Sequence, residues 1–471
     1  MYTTIHPPRA LAGRATARAG RSLSAAILLA ALLAPGKLGA ADPPPPVIVP
    51  ALGAFPIVVL LINFPDAPAS PKPVSYFNGL IASPDYPSAN HWCRENSYGN
   101  MDIDGSQIFG WYSVSHPHSY YYFTNNEGKL VFNMDQVIAE VLPQVDPVVD
   151  FRPFASIAAM FNCEVASAGF SYGSVWTLDG QRKAYQMIGV GPWGWQRQDV
   201  VTHEILHQFG VNHSGGPFYD CGQTNPCFVD SRWDRMGGGT ECPERFAPDP
   251  VYGCLGAHTI AWHKHDMGWI TPSRAYQLGA SQAGIIALER LALPPMAAGT
   301  YALARMPVFG STEQFYTVEY RNWHGYDGLA AVPGEAVIIH NVRKWLLDRQ
   351  AQVVTHEGIH DPNGPAGMWL PGQTMTDDSV GAIVHVESIG DAQAIVALSN
   401  QPRDVVAVDR VWNGFENGVP GTPWNTLAEG YASVHRGGRV ILQAGAYPEN
   451  LRLTKPCTLD RGGAGSVLLG D

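Results

Sequence analysis

Residues 203–213 have the sequence HEILHQFGVNH, which contains three histidines and, directly after the first of them, one glutamate. In a helix, His203 and His207 are four residues apart, so both imidazoles project from the same face. Gly210 can adopt the left-handed conformation that ends a helix. The chain could then turn and bring His213 back to the other two histidines. The pattern therefore predicts a metal site with His203, His207 and His213 as ligands.

The donor set favours Zn²⁺ in a catalytic role. Three neutral protein ligands leave one coordination position open, as in catalytic zinc sites. Zinc there would acidify a water molecule and polarise a carbonyl group, and Glu204 would act as the general base. Two alternatives stay open. Asp220 could replace His213 as a ligand, and the zinc could be purely structural, although a structural site needs no base such as Glu204.

The stretch resembles the long zinc motif of the metzincin clan of zinc peptidases. A metzincin also has a methionine turn beneath the metal, and residues 230–237, DSRWDRMG, place Met236 in that role, with Met267 as a rival candidate. The gap between His213 and Met236 resembles gametolysin-like peptidases. The immune inhibitor A group is similar too, but it usually has aspartate as third ligand, so His213 favours the gametolysin side.

The resemblance extends in patches over about 55–400, and it implies an enzyme that hydrolyses peptide bonds inside proteins. Some metzincins place a tyrosine after the methionine to stabilise the oxyanion, whereas here three glycines follow Met236. Tyr219 and Tyr252 are candidates for that donor, which stays unassigned. The departure supports an alternative function: a non-catalytic adhesion or binding protein on a zinc-peptidase scaffold.

Composition changes along the chain predict five segments. Residues 1–41 have a basic start, an apolar run at 23–33 and small residues at 39–41, as in a signal peptide. A Pro-rich spacer (42–54) precedes an α+β, metzincin-like catalytic domain (55–275), in which helices and strands interleave. The apolar, β-branched run at 57–63 predicts a buried strand near its start. Short alternating runs predict a small β-sandwich at 276–400. Residues 401–471 resemble the first coils of a parallel β-helix, with strands at 405–411, 439–442, 451–453 and 466–469.

The signal peptide predicts a secreted, extracellular protein, and its character favours a bacterial source. Export favours disulfides for the seven cysteines, and we expect the pairs Cys221–Cys227, Cys242–Cys254 and Cys93–Cys163, with Cys457 left over. The net charge of −11 argues against a nucleic-acid partner. No other stretch is long and apolar enough to span a membrane, so we expect no stable membrane association after the signal peptide is cleaved. The expected partner is a protein or peptide substrate, and the sequence carries no prediction on calcium or oligomeric state.

Overall fold

The computed structural model describes residues 50–470 except 70–71, 127, 166–168, 224–225, 239–247, 280–281, 297, 309–310, 330–331, 357, 378–379, 401–403, 415–417, 419, 435–436 and 454–455. The predicted signal peptide therefore lies outside the described residues. No helix in the described part of the chain has the length and apolar character that crossing a bilayer requires.

A five-stranded mixed sheet forms the centre of the first half of the chain. Ile57–Asn63 is a buried strand with the predicted bounds. The sheet continues on both sides of it in the order Gln107–Ser113, Ile57–Asn63, Ser156–Phe161, Gln181–Val190 and Gly169–Leu178. All neighbours are parallel except the last pair, which is antiparallel. Gly169–Leu178 is the last strand in this order, and we call it the edge strand.

Helices cover both faces of this sheet, so its inner strands are apolar on both sides. On one face lie the helices Ala89–Asn96 and Gln198–His207, which share a core with side chains such as Val59 and Leu61. On the other face the helix Met134–Val145 packs over side chains such as Leu60. Shorter helices of this half are Val74–Phe77, Asn78–Ala82, His118–Tyr121 and Pro192–Trp195. Two short strands pair as the hairpin Tyr122–Thr124 and Leu130–Phe132.

The central sheet has a separate core on each face, and this explains why one disulfide prediction is wrong. Cys93 and Cys163 are both free thiols. Cys93 is buried in the core on one face of the sheet, whereas Cys163 packs against the core on the other face. The predicted bond Cys221–Cys227 is confirmed. Cys254 is also disulfide-bonded, but its predicted partner Cys242 lies outside the described residues, and Cys457 is free.

Two sheets follow and face each other across a shared core. The first has six strands in the order Ser214–Gly215, Ala351–Val353, Ala336–Arg343, Gln314–Arg321, Leu303–Pro307 and Ala275–Gln277. The second has five, in the order Thr300–Tyr301, Ala283–Glu289, Gln393–Asn400, Ala382–Ile389 and Thr374–Asp377. Ser214–Gly215 comes directly after His213, so this sheet begins beside the candidate metal ligands.

The helix Ala261–Asp266 packs against the outer face of the six-stranded sheet. Its Trp262 ring meets Phe315 edge-on, with 5.0 Å between the ring centroids. This contact fastens the end of the first half of the chain to the sheets that follow.

The last segment contains short parallel strands. Val405–Val408, Arg439–Leu442 and Thr458–Arg461 lie side by side, and Gly445–Tyr447 pairs with Val467–Leu469. The helix Leu427–Ser433 begins at a capping box formed by Thr426 and Glu429. The predicted strand at 451–453 is wrong, because the N–H of Leu451 donates to the carbonyl of Glu449 in a local turn rather than to a neighbouring strand.

Candidate metal centre

The helix Gln198–His207 presents the candidate ligands on one face and core residues on the other. Val201, Ile205 and Phe209 follow at spacings of four and are all buried in the core beneath the sheet. Gly210 has φ +75°, in the left-handed region, and its N–H donates to the carbonyl of His207. The helix ends at His207, two residues before the expected end at Phe209, and a turn through Gly210 directs the chain back towards His213.

The structure brings the three histidines together. One ligand nitrogen from each of His203, His207 and His213 lies within 4.8 Å of the others. Each Nδ1 faces an oxygen acceptor: the carbonyl of Arg235 for His203 (2.9 Å), the carbonyl of Val211 for His207 (2.9 Å) and Asp348 Oδ1 for His213 (3.0 Å). Because each Nδ1 must carry the proton to donate, each Nε2 keeps a free lone pair.

The arrangement of these lone pairs fits a metal ion. The Nε2 atoms of His203 and His207 are 3.1 Å apart, close to the ~3.3 Å expected for two ligands bound tetrahedrally to one Zn²⁺. Two acceptor lone pairs at that separation repel each other unless a cation lies between them. A proton is disfavoured in that place, because burial lowers the pKa of His203 and lowers that of His207 to about 4.

Glu204 lies beside the first ligand with its carboxyl group in contact with the edge strand. A Cβ atom added to Gly169 would lie 2.5 Å from Glu204 Oε1, so only glycine leaves the carboxyl this room. Burial raises the pKa of Glu204 to about 8, and the Arg235 guanidinium acts in the opposite direction. A metal charge nearby would lower that pKa and favour the carboxylate.

Met236 lies in the single turn Arg235–Gly237 and is fully buried in the same core as Ile205. The preceding residue, Arg235, gives its carbonyl to His203, so this turn supports the first ligand. A side chain at Gly237 would overlap the carbonyl oxygen of Ser231, which explains the glycine after the methionine. Met267, the rival candidate, is instead the C-terminal cap of the helix Ala261–Asp266.

A cleft of about 550 Å³ opens over the three histidines and Glu204. Its lining includes residues 169–172 of the edge strand and Arg349. Neither Tyr219 nor Tyr252 is among the described residues that line this cleft.

The three side chains that the sequence offered as alternatives are engaged elsewhere. The ring of Tyr219 stacks on His360, with centroids 4.3 Å apart, and Tyr252 packs against Tyr76. Asp220 accepts a hydrogen bond from the N–H of Gly222. Among the described residues, the group that gathers as ligands contains His213 and not Asp220.

Sequence reasoning missed Asp348, Arg349 and Gly169. Asp348 is 135 residues from His213, and the sequence carries no signal that links them. For Gly169 the sequence offers a weak indication, because a glycine within a strand often marks a close approach of another group.

The site therefore defines a three-histidine centre that could hold a metal ion. Neither a protein-family model nor a curated protein matches this chain. Among solved structures, it is similar to wild-type OgpA from Akkermansia muciniphila in two crystal forms. The first is 9% identical, covering 74% of this chain and 93% of that one with a TM-score of 0.24. The second is 8% identical, covering 65% and 93% with a TM-score of 0.25. Scores this low bear on neither fold nor function.

Proposed function

We propose that the protein is a secreted zinc-dependent endopeptidase with a metzincin-like catalytic domain. One observation carries the proposal: three histidines bring one ring nitrogen each within 4.8 Å of the others, beside the buried carboxyl of Glu204 and in an open cleft. A purely structural zinc site is closed by four protein ligands and has no use for a carboxyl group at that place.

A bound Zn²⁺ would supply a Lewis acid that polarises a carbonyl group and acidifies water. The protein's own groups do the remaining work. The Nδ1 hydrogen bonds hold the three imidazoles in one tautomer. Glu204 accepts a proton from the attacking water and delivers it to the leaving amine, as a general base and then a general acid.

The edge strand supports a polypeptide as the substrate. In the described part of the sheet, Gly169–Leu178 pairs with a strand on one side only. An extended peptide can pair with such an edge through main-chain hydrogen bonds, independently of its sequence. Gly169 and Ser171 lie on this strand and line the cleft, and Gly169 faces Glu204, so a peptide paired there would pass the three histidines.

The test uses purified mature protein, with casein hydrolysis and zinc content by elemental analysis measured before and after treatment with phenanthroline. The variants Glu204→Ala and Glu204→Gln are measured in parallel. We expect about one zinc per chain in all three proteins and a loss of activity of roughly 10²–10⁴-fold in both variants, the usual contribution of a general base. Phenanthroline should remove both zinc and activity.

Wild-type activity in either Glu204 variant would refute the mechanism, and absence of zinc from the wild type would refute the metal centre. Zinc at one per chain without hydrolysis of any protein substrate would favour the alternative of a non-catalytic binding protein. That alternative draws support from the two predicted tyrosine donors, Tyr219 and Tyr252, which both pack elsewhere.

A further inference from the structure

The third histidine differs from the other two in how it is held. His203 and His207 are fixed on a helix, and their Nδ1 atoms donate to backbone carbonyls nearby. His213 lies beyond the end of that helix, and its side chain is 36% exposed. The hydrogen-bond acceptor at its Nδ1 is the side chain of Asp348. A single side-chain carboxylate therefore orients His213, whereas backbone carbonyls orient the other two histidines.

Asp348 belongs to the β-sheet region after residue 275. It lies on the loop 344–350, which joins the strands Ala336–Arg343 and Ala351–Val353. The contact with His213 thus crosses from the predicted β-sandwich to the predicted catalytic domain. A catalytic domain that ended at residue 275 would lack it.

The loop is tied to the segment that follows His213. Arg349, with φ +53°, donates from Nη1 to the carbonyl of Ser214 (2.7 Å) and forms an ion pair with Asp230 (3.0 Å). Its guanidinium also lies 3.6 Å over the ring of Phe228. Ala351 pairs with Ser214 in the six-stranded sheet. Asp348 therefore lies just before two residues, Arg349 and Ala351, that are fixed to the chain beside His213.

We propose that Asp348 is a positioning residue of the metal centre: its carboxylate holds the Nδ1–H of His213 so that Nε2 points to the ion. The proposal rests on the metal binding proposed above. Carboxylate partners of metal-bound histidines fix the ring and its tautomer, and their loss typically weakens metal binding 10–100-fold. The Asp348 side chain is 55% exposed, so water screens its charge and orientation is the larger part of its effect.

The experiment measures zinc dissociation constants of the full-length mature protein by competition with a chelator of known affinity. Asp348→Ala should raise the dissociation constant about 10-fold or more. Asp348→Asn should stay nearer the wild type, because the amide oxygen can still accept from Nδ1. The absorption spectrum of the Co²⁺-substituted protein gives a second readout, and it should change in Asp348→Ala as the third nitrogen ligand becomes disordered.

Two controls separate positioning from general damage. Leu347→Ala truncates the neighbouring side chain, which is 96% exposed, and Asp404→Ala removes an exposed carboxylate from the last segment. Both should bind zinc as the wild type does. Thermal unfolding of the metal-free proteins shows whether the Asp348 variants fold.

Suppose that the wild type binds one zinc and that the dissociation constant of Asp348→Ala is within about twofold of the wild-type value. That result would overturn the positioning role and leave the metal centre intact. An Asp348→Asn variant as weak as Asp348→Ala would overturn the orientation argument. A wild type that binds no zinc would overturn the proposed function and this inference together, so the two failures are distinguishable.

Discussion

Replacing Gly169 with alanine is a direct test of where Glu204 lies. Gly169 begins the edge strand, and its backbone is outside the left-handed region, so alanine can adopt the same conformation. The added Cβ would lie 2.5 Å from Oε1 of Glu204, 2.7 Å from Cγ and 2.8 Å from Cδ, whereas ordinary contact begins at 3.4 Å. The Glu204 carboxyl would have to move by about 1 Å, a displacement that can cost about 10²-fold in rate.

The assay is kcat/KM on a peptide or casein substrate, together with zinc content and the midpoint of thermal unfolding. We expect about a 100-fold loss of kcat/KM, equivalent to about 2.7 kcal/mol of transition-state stabilisation. Zinc should stay at one per chain, because none of the three histidines has to move. Gly364→Ala is the matched control, since nothing lies within 4 Å of a Cβ at that position.

The same change in a Glu204→Ala background separates this mechanism from general damage. Alanine at 204 has no carboxyl group to displace, so Gly169→Ala should then add almost no further loss. A further 100-fold loss in that background would refute the reasoning. So would a Gly169→Ala variant with full activity and full zinc content.

Two further predictions concern stability. Arg321 forms ion pairs with Glu319 (3.1 Å) and Asp327 (2.7 Å), and all three side chains are fully buried. Arg321→Met should therefore lower the free energy of unfolding by about 3–5 kcal/mol, because it leaves two buried carboxylates without their partner. Urea unfolding beside Arg321→Lys checks this, and a loss below about 1 kcal/mol would contradict it. Burial alone would raise the pKa of Asp234, but His263, 3.0 Å away, and a hydrogen bond from the Thr259 hydroxyl lower it overall. A carboxyl whose folded-state pKa is depressed stabilises the fold above its unfolded pKa of about 3.9 and loses that contribution as pH falls below it. The difference in unfolding free energy between wild type and Asp234→Asn should therefore be constant from about pH 5 to 7 and shrink below about pH 4. A difference that does not vary with pH would contradict the lowered pKa of Asp234.

Local features of the fold could be predicted because a few neighbouring residues determine them. The strand Ile57–Asn63 is an apolar, β-branched run between turn residues, and its bounds are as predicted. The helix Gln198–His207 has buried residues at spacings of four, and Gly210 takes a positive φ in the turn that follows it. The disulfide Cys221–Cys227 closes a short loop within one segment. Each follows from backbone preference and side-chain periodicity over a dozen residues or fewer.

The remaining features depend on which strands become neighbours, and sequence periodicity does not encode that. Cys93 and Cys163 do not pair, because the central sheet separates them. Gly169 meets Glu204 only because its strand takes the edge position beside the helix. Asp348 reaches His213 across 135 residues because Ala351 pairs with Ser214. The sequence by itself determined which residues could bind a metal, whereas only the tertiary structure decided which distant side chains surround them, because sheet order and packing set those contacts.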